Sequence, residues 1–243
     1  MSQSLYGNPY QTPVAAAPVE ARVAFLRKVG GLTLGGLVIS AITAVASTMA
    51  VVAIPALQGR WVSIGVMLGA MFASQWIGGS MVNAREKSTQ FAGFVVGTGL
   101  QGVAMGYLLL TAVMLSSQLY ANPFVFLIQA MSLVGLTVLG MVLYLMTGPK
   151  QLSMIGSIMA TLSLPLLGLM VLSFVFPMGG MVGILINVVF VALSAGGLLY
   201  NLNQVMHEMS TDRTVPAAYH VTLGVLTLFW NVLTLLMRLQ DRR

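Results

Sequence analysis

The sequence predicts an all-α polytopic membrane protein, a bundle of seven transmembrane helices. Three observations predict it. Hydrophobic residues make up 58% of the 243-residue chain, charged residues make up only 7%, and those charges gather at the ends of long apolar runs. A soluble domain carries about 25% charged residues, and a core of this size cannot hide so much apolar surface from water. The bilayer must act as part of the solvent, and each run of ~20 apolar residues suffices to cross ~30 Å of hydrocarbon.

The elements follow in order. Residues 1–28 read as an N-terminal tail. Its first part, Met1 to Val19, is polar, small and Pro-bearing, and is expected to be disordered. It has neither the basic start nor the early apolar run of a cleavable signal. Glu20 to Lys28 form a charged lead-in to span 1, which runs from Val29 to Ile54 and is ended by Pro55. Span 2 covers Trp61 to Val82, span 3 Phe91 to Leu115, and span 4 Phe124 to Met146. Span 5 covers Leu152 to Phe176, where Pro165 should kink the helix by removing a backbone donor. Span 6 covers Met181 to Met206 and span 7 Ala217 to Leu239. Residues 29–239 thus form one transmembrane domain, and residues 240–243 a basic C-terminal tail. The short links favour antiparallel neighbours in a compact bundle.

Basic residues set the expected orientation. With the N-terminus in the cytoplasm, that side holds Arg22, Arg27, Lys28, Arg85, Lys87, Lys150 and Arg213, and the other holds Arg60, Arg238, Arg242 and Arg243. A re-entrant last span would return the C-terminal charges to the cytoplasm. Glycines recur four apart at Gly31/Gly35, Gly93/Gly97, Gly102/Gly106 and Gly179/Gly183. Such pairs let helix backbones approach closely in lipid. Packing within the chain is the first reading of them, and a dimer face or a mobile contact the second.

The chemistry is defined by what the spans omit. Apart from Arg238, one residue before the end of span 7, the spans contain no Asp, Glu, Lys or Arg. The interior polar groups are amides: Gln75, Gln101, Gln129, Asn187, Asn201, Asn203, Gln204 and Asn231, with His220 one turn into span 7. A proton pump needs a chain of titratable groups, and a retinal protein needs a lysine in the bundle. His207-Glu208 lacks the second histidine of a metalloprotease helix, and no Gly-x-Ser-x-Gly elbow has its partners in reach. With no cysteine, thiolate chemistry is excluded. The chain is expected to be a non-enzyme with no cofactor and no metal site. Its net charge of +6 sits at span ends rather than in a nucleic-acid-binding stripe.

The richest polar segment, Tyr200 to Glu208, closes span 6. On a helix Asn201, Gln204 and Glu208 share one face, while Asn203 and His207 lie nearly opposite. Such amides can line a wet vestibule or coordinate a cation through carbonyl oxygens. The plainer alternative is hydrogen bonding to neighbouring helices. His207 and Glu208 fall at headgroup level. His220 reads as a packing residue first and a pH-responsive group second.

The stretch YNLNQVMHEMSTDRTVPAAYHVTLGVLTLFWNVLTLLMRLQ resembles the C-terminal signature of the Bax inhibitor family, the transmembrane Bax-inhibitor-motif proteins. That signature has a span ending in Tyr-Asp-x-x-Gln, a short polar loop, and a last span reading roughly Leu-Tyr-Leu-Asp-x-x-Asn-Leu-Phe. FLRKVGGLTLGGLVISAITA resembles the family's opening helix. The resemblance implies a seven-helix bundle around a central last helix and a cation leak, mainly of calcium, gated by a buried aspartate pair against a basic residue. Here the first aspartate position falls on Asn201 after Tyr200, and the second on Gly224 or Val225; neither can ionise. Arg85 and Lys87 are the candidate basic partners. The pore candidates are Tyr200, Asn201, Gln204 and Glu208, and the pH-responsive candidates His207 and His220. The expected function is a calcium or other cation leak without the aspartate-pair pH gate. The alternative is a non-conducting regulator acting on other membrane proteins, such as a membrane-bound AAA protease, for which the family has bacterial precedent. A bacterial inner membrane is the expected location; the oligomeric state is left open.

Overall fold

The computed structural model describes residues 13–146 and 180–240. Six helices among them are long and apolar enough to cross a membrane. They are α1 (Val19–Ala53), α2 (Arg60–Val82), α3 (Lys87–Leu119), α4 (Val125–Met146), α5 (Gly180–His207) and α6 (Thr214–Gln240). The chain is an all-α integral membrane protein. Predicted span 5, with Pro165, lies outside the described residues, as do Gly179, Lys150 and the C-terminal Arg242 and Arg243.

Local chemistry sets the helix ends. Pro55 forces the residue before it out of the helical region, and Ile54 is extended at φ −113°, ψ 101°. Gln58, at the end of the short turn Pro55–Gln58, donates back to the carbonyls of Val51 and Val52, closing orphan acceptors of α1. Asn83 donates to the Gly79 carbonyl at the end of α2, and Asn122 accepts from the Phe124 amide before α4.

Packing is densest where side chains are smallest. α1 lies along α3, with Gly102 and Gly106 against the Ser40 and Ala44 carbonyls, so that a β-carbon at either glycine would overlap α1. Three hydroxyls bridge the two helices: Ser40 Oγ donates to Thr98 O at 2.7 Å, Ser47 Oγ to Val103 O at 3.0 Å, and Thr48 Oγ1 to Gly106 O at 2.9 Å. Each contributes on the order of 0.6 kcal/mol in a membrane protein. Gly93 and Gly97 likewise meet neighbouring helices. Gly31 and Gly35 do not: both are exposed, with nothing within 4 Å of the place a β-carbon would take. Intrachain packing, the first reading of that pair, is thus corrected. Spacing alone does not say which side of a helix meets protein.

Of the six described spans, α6 is the most enclosed. Its apolar window is 44% buried, against 39% or less for the others, and it packs on α1, α3, α4 and α5. The central last helix therefore appears as the resemblance implied.

The N-terminal lead-in differs from the expected tail. Residues 1–12 lie outside the described residues, but Pro13 pairs with Ser210 in an antiparallel bridge, and the Val14 amide donates to Met209 O at 3.0 Å. Val14 is 0% exposed and joins Phe25, Val29, Val205 and Ala217 in a core cluster. Helix α1 then begins at Val19, so Glu20 to Lys28 are helical. The reason is a single apolar side chain finding a pocket at the bundle's end, which polar composition does not reveal. This strap and the loops 83–86 and 208–213 occupy one end of the molecule, tied by Arg213 Nη2 donating to Asn83 Oδ1 at 2.9 Å. Replacing Val14 by Asp should release the strap, because an unpaired buried charge costs several kcal/mol. Limited proteolysis in detergent should then cut between residues 13 and 18 several-fold faster, with the rest of the chain still protected.

Candidate functional site

Two polar loci sit around α6. The first lies where α5 passes α6. A β-carbon at Gly224 would stand 3.5 Å from Asn201 Nδ2 and 2.8 Å from a Leu198 methyl. Thus of the two alternatives Gly224 and Val225, it is Gly224 that faces Asn201. Two positions twenty-three residues apart meet across the helix pair, yet one carries an amide and the other no side chain. Neither can hold or release a proton near neutrality.

The rest of the predicted polar segment is split. Gln204 Nε2 donates to Glu208 Oε2 at 2.9 Å on an exposed face, one turn beyond Asn201. Tyr200 is half-buried. His207 Nδ1 lies 3.1 Å from the Asn203 carbonyl, a contact within its own helix. Arg85 and Lys87 are exposed, and among the described residues no bond joins either to Asn201. The basic residue that spans two loops is Arg213, through Asn83. His220 is half-buried, its ring 6.0 Å from that of Tyr219 at 65°.

Among the described residues the buried polar interior holds the hydroxyls of Ser40, Ser74, Thr98, Ser116 and Thr222 and the amides Gln101, Asn187 and Asn203, whereas Gln75 and Gln129, read as interior from the sequence, are exposed. Gln101 is 2% exposed and Asn203 3%, and each has a side-chain carbonyl oxygen with no hydrogen-bond partner among the described residues; the Asn187 amide nitrogen is in the same state. Such groups are rare in folded proteins and call for explanation. Among the described residues, no three of His, Cys, Asp or Glu converge to hold a metal ion.

The second locus was not anticipated from sequence. Tyr219, 1% exposed, donates its hydroxyl to the Ser74 carbonyl at 2.5 Å. Ser74 opens a π turn, Ser74–Gly78, inside α2, and its own hydroxyl donates to Gly97 O at 2.8 Å. Glycine is required on both sides of the phenol: a β-carbon at Gly78 or Gly97 would fall 2.5 Å from the tyrosine oxygen. Phe94 meets the ring edge-on, with centroids 6.5 Å apart. A tyrosine this near the start of a span ordinarily reads as part of the aromatic belt, so the sequence carried no signal that pointed here.

Fold and locus together define a polytopic helical membrane protein with an uncharged polar interior built around its last helix. Comparison with known families narrows this: residues 22–241 match the family model described as Inhibitor of apoptosis-promoting Bax1. The chain belongs to the Bax inhibitor family. No curated protein and no solved structure gave a match.

The tyrosine slot makes a sharp stability prediction. Gly97→Ala should destabilise the protein by about 1–3 kcal/mol, as overpacking does. Gly99→Ala on the same helix, where a β-carbon meets only Thr43 and Ile39 methyls at 3.7 and 4.0 Å, should be neutral or slightly stabilising. Thermal unfolding in detergent separates the two.

Proposed function

We propose that this protein is a cation leak of the Bax inhibitor family, passing calcium or similar ions, from which the titratable gate has been removed. The observation that carries the reading is the meeting of Asn201 and Gly224 across α5 and α6. These two positions correspond to the acid pair that the resemblance assigns to the gate. The unpartnered carbonyls of Gln101 and Asn203 support conduction, since an amide oxygen is a hard ligand suited to calcium. No covalent chemistry is assigned to the protein.

The same reading has seven crossings in the inner membrane of a bacterium, with the strap end cytoplasmic. Arg22, Arg27, Lys28, Arg85, Lys87 and Arg213 lie at that end, and Arg60 and Arg238 toward the other. This is the bias that loops on the cytoplasmic side carry. Helix α4 delivers the chain to the strap end and α5 begins at the opposite one, which favours an odd number of crossings between them, and Leu152 to Phe176 has the apolar length for one.

Purified protein in calcium-loaded liposomes should show a flux that varies less than about twofold between pH 6 and 8. The pair Asn201→Asp with Gly224→Asp should make it pH-dependent, because two close carboxyls share a proton and titrate in separated steps. A steep acid response of the unaltered chain that survives replacement of His207 and His220 defeats the reading.

A second reading, a non-conducting regulator that binds another membrane protein, is favoured by one observation: Gly31 and Gly35 form an open small-residue face on α1. Absence of flux from every variant would leave this reading standing. Gly35→Leu should then lower photocrosslinking from the neighbouring Leu34 to that partner while leaving thermal stability unchanged.

A further inference from the structure

A π turn contains one residue more than the α-helix around it, and such insertions in a helix recur at functional positions. In α2 the insertion, Ser74–Gly78, lies midway between two anchors. On the inner side, Ser74 is held twice: its carbonyl by the Tyr219 hydroxyl, its own hydroxyl by Gly97 O. On the outer side, Trp76 is 78% exposed, and Ile77 is also exposed, so no helix among the described residues covers the bulged part of the turn. None of the described helices resists a change of register on that side.

Beyond the turn, the single helical segment Gly79–Val82 leads to Asn83. Asn83 is the partner of Arg213, which lies in the loop joining α5 to α6. That loop also carries the strap, through Met209 and Ser210. A rigid piece of helix thus connects a buried phenol to the only side-chain hydrogen bond recorded between the two loops among the described residues.

We propose that the π turn of α2 is a register switch locked by Tyr219: with the phenol seated on Ser74, the extra residue is retained and Asn83 holds Arg213. With the phenol withdrawn, the turn relaxes to α-helix, and everything between Gly79 and Asn83 rotates by about 100° and moves about 1.5 Å along the axis. Asn83 leaves Arg213, and the α5–α6 loop is freed at the end where the strap is bound. The cost of switching is the exposure of Val82, which is buried in the locked state, and the loss of the close approach of Met81 and Val82 to Gly93. Tyr219 acts here as a positioning residue, through Ser74, on a contact that it does not touch.

The chain has no cysteine, so spin labels can be placed on Arg85→Cys and Asp212→Cys, two exposed sites outside the lock. Electron–electron distance measurements on the full chain in lipid nanodiscs then report the register directly. Tyr219→Phe, which removes one oxygen, should shift the distance peak or add a second one, displaced by up to about 8 Å, the chord of a ~100° rotation at side-chain radius. Deleting Trp76 removes the extra residue, so the helix should run on as regular α-helix with Gly79–Asn83 in the native register and the distance at its native value. Adding Tyr219→Phe to that deletion should leave the peak in place, because no extra residue is left to release. A merely structural tyrosine would shift or broaden the distribution equally with and without the deletion. An unchanged peak in Tyr219→Phe alone, or a displaced peak in the deletion variant, overturns the proposal. Should Tyr219→Phe fail to fold, the deletion alone decides: a displaced distance rejects the switch.

Discussion

The whole arrangement depends on how closely other helices approach α3. Between helices in lipid there is no hydrophobic force to draw them together, so contact energy must come from short-range packing and interhelical hydrogen bonds. α3 meets that requirement with glycine: Gly102 and Gly106 admit the backbone of α1, Gly93 admits the end of α2, and Gly97 admits the Tyr219 ring from α6. Each close approach also brings a hydroxyl within reach of a backbone carbonyl, as at Ser40, Ser47, Thr48, Ser74 and Tyr219. The same feature thus supplies both terms. Widening any of these gaps by one methyl would lose dispersion contacts and hydrogen bonds together.

Within that scaffold, the protein separates position from charge. The crossing of α5 and α6 brings Asn201 to Gly224. This geometry would serve two interacting acids, but the residues present hold no proton. The buried polar side chains around it are hydroxyls and amides. An interior of hydroxyls and amides responds to solvation and to helix movement rather than to the titration of a carboxylate pair. On this reading a response to conditions would arise in the way helices shift against each other, as in the register switch proposed for α2.

Much of the fold was legible because lipid imposes a length. Five of the six described spans begin and end within about four residues of the apolar runs that announce them, and Pro55 marks its stop directly. Helix α1 departs from this by starting at Val19, since a helix emerging into water need not stop where the apolar run does. The site was less legible. Asn201 was visible from its motif, and Gly224 only as one of two choices, because the sequence cannot say which side of a helix faces its neighbour. Gly31/Gly35 and Gly93/Gly97 have identical spacing, yet one pair is open and the other clamped. The π turn SQWIG carries no composition that sets it apart, and its existence depends on Tyr219, 145 residues away. Tertiary contacts of that range leave no local trace.

The strap has a consequence for biogenesis. Val14 is tied to Met209, 195 residues later in the chain. At synthesis rates of about 5–20 residues per second, the ribosome takes roughly 10–40 s to cover that distance. Throughout this interval Val14 has no pocket, because the helices that form it have not entered the bilayer. The earliest described part of the polypeptide thus waits for one of the last loops before it can settle. A protease that grips loose N-terminal segments would distinguish molecules stalled before that loop from those that have passed it.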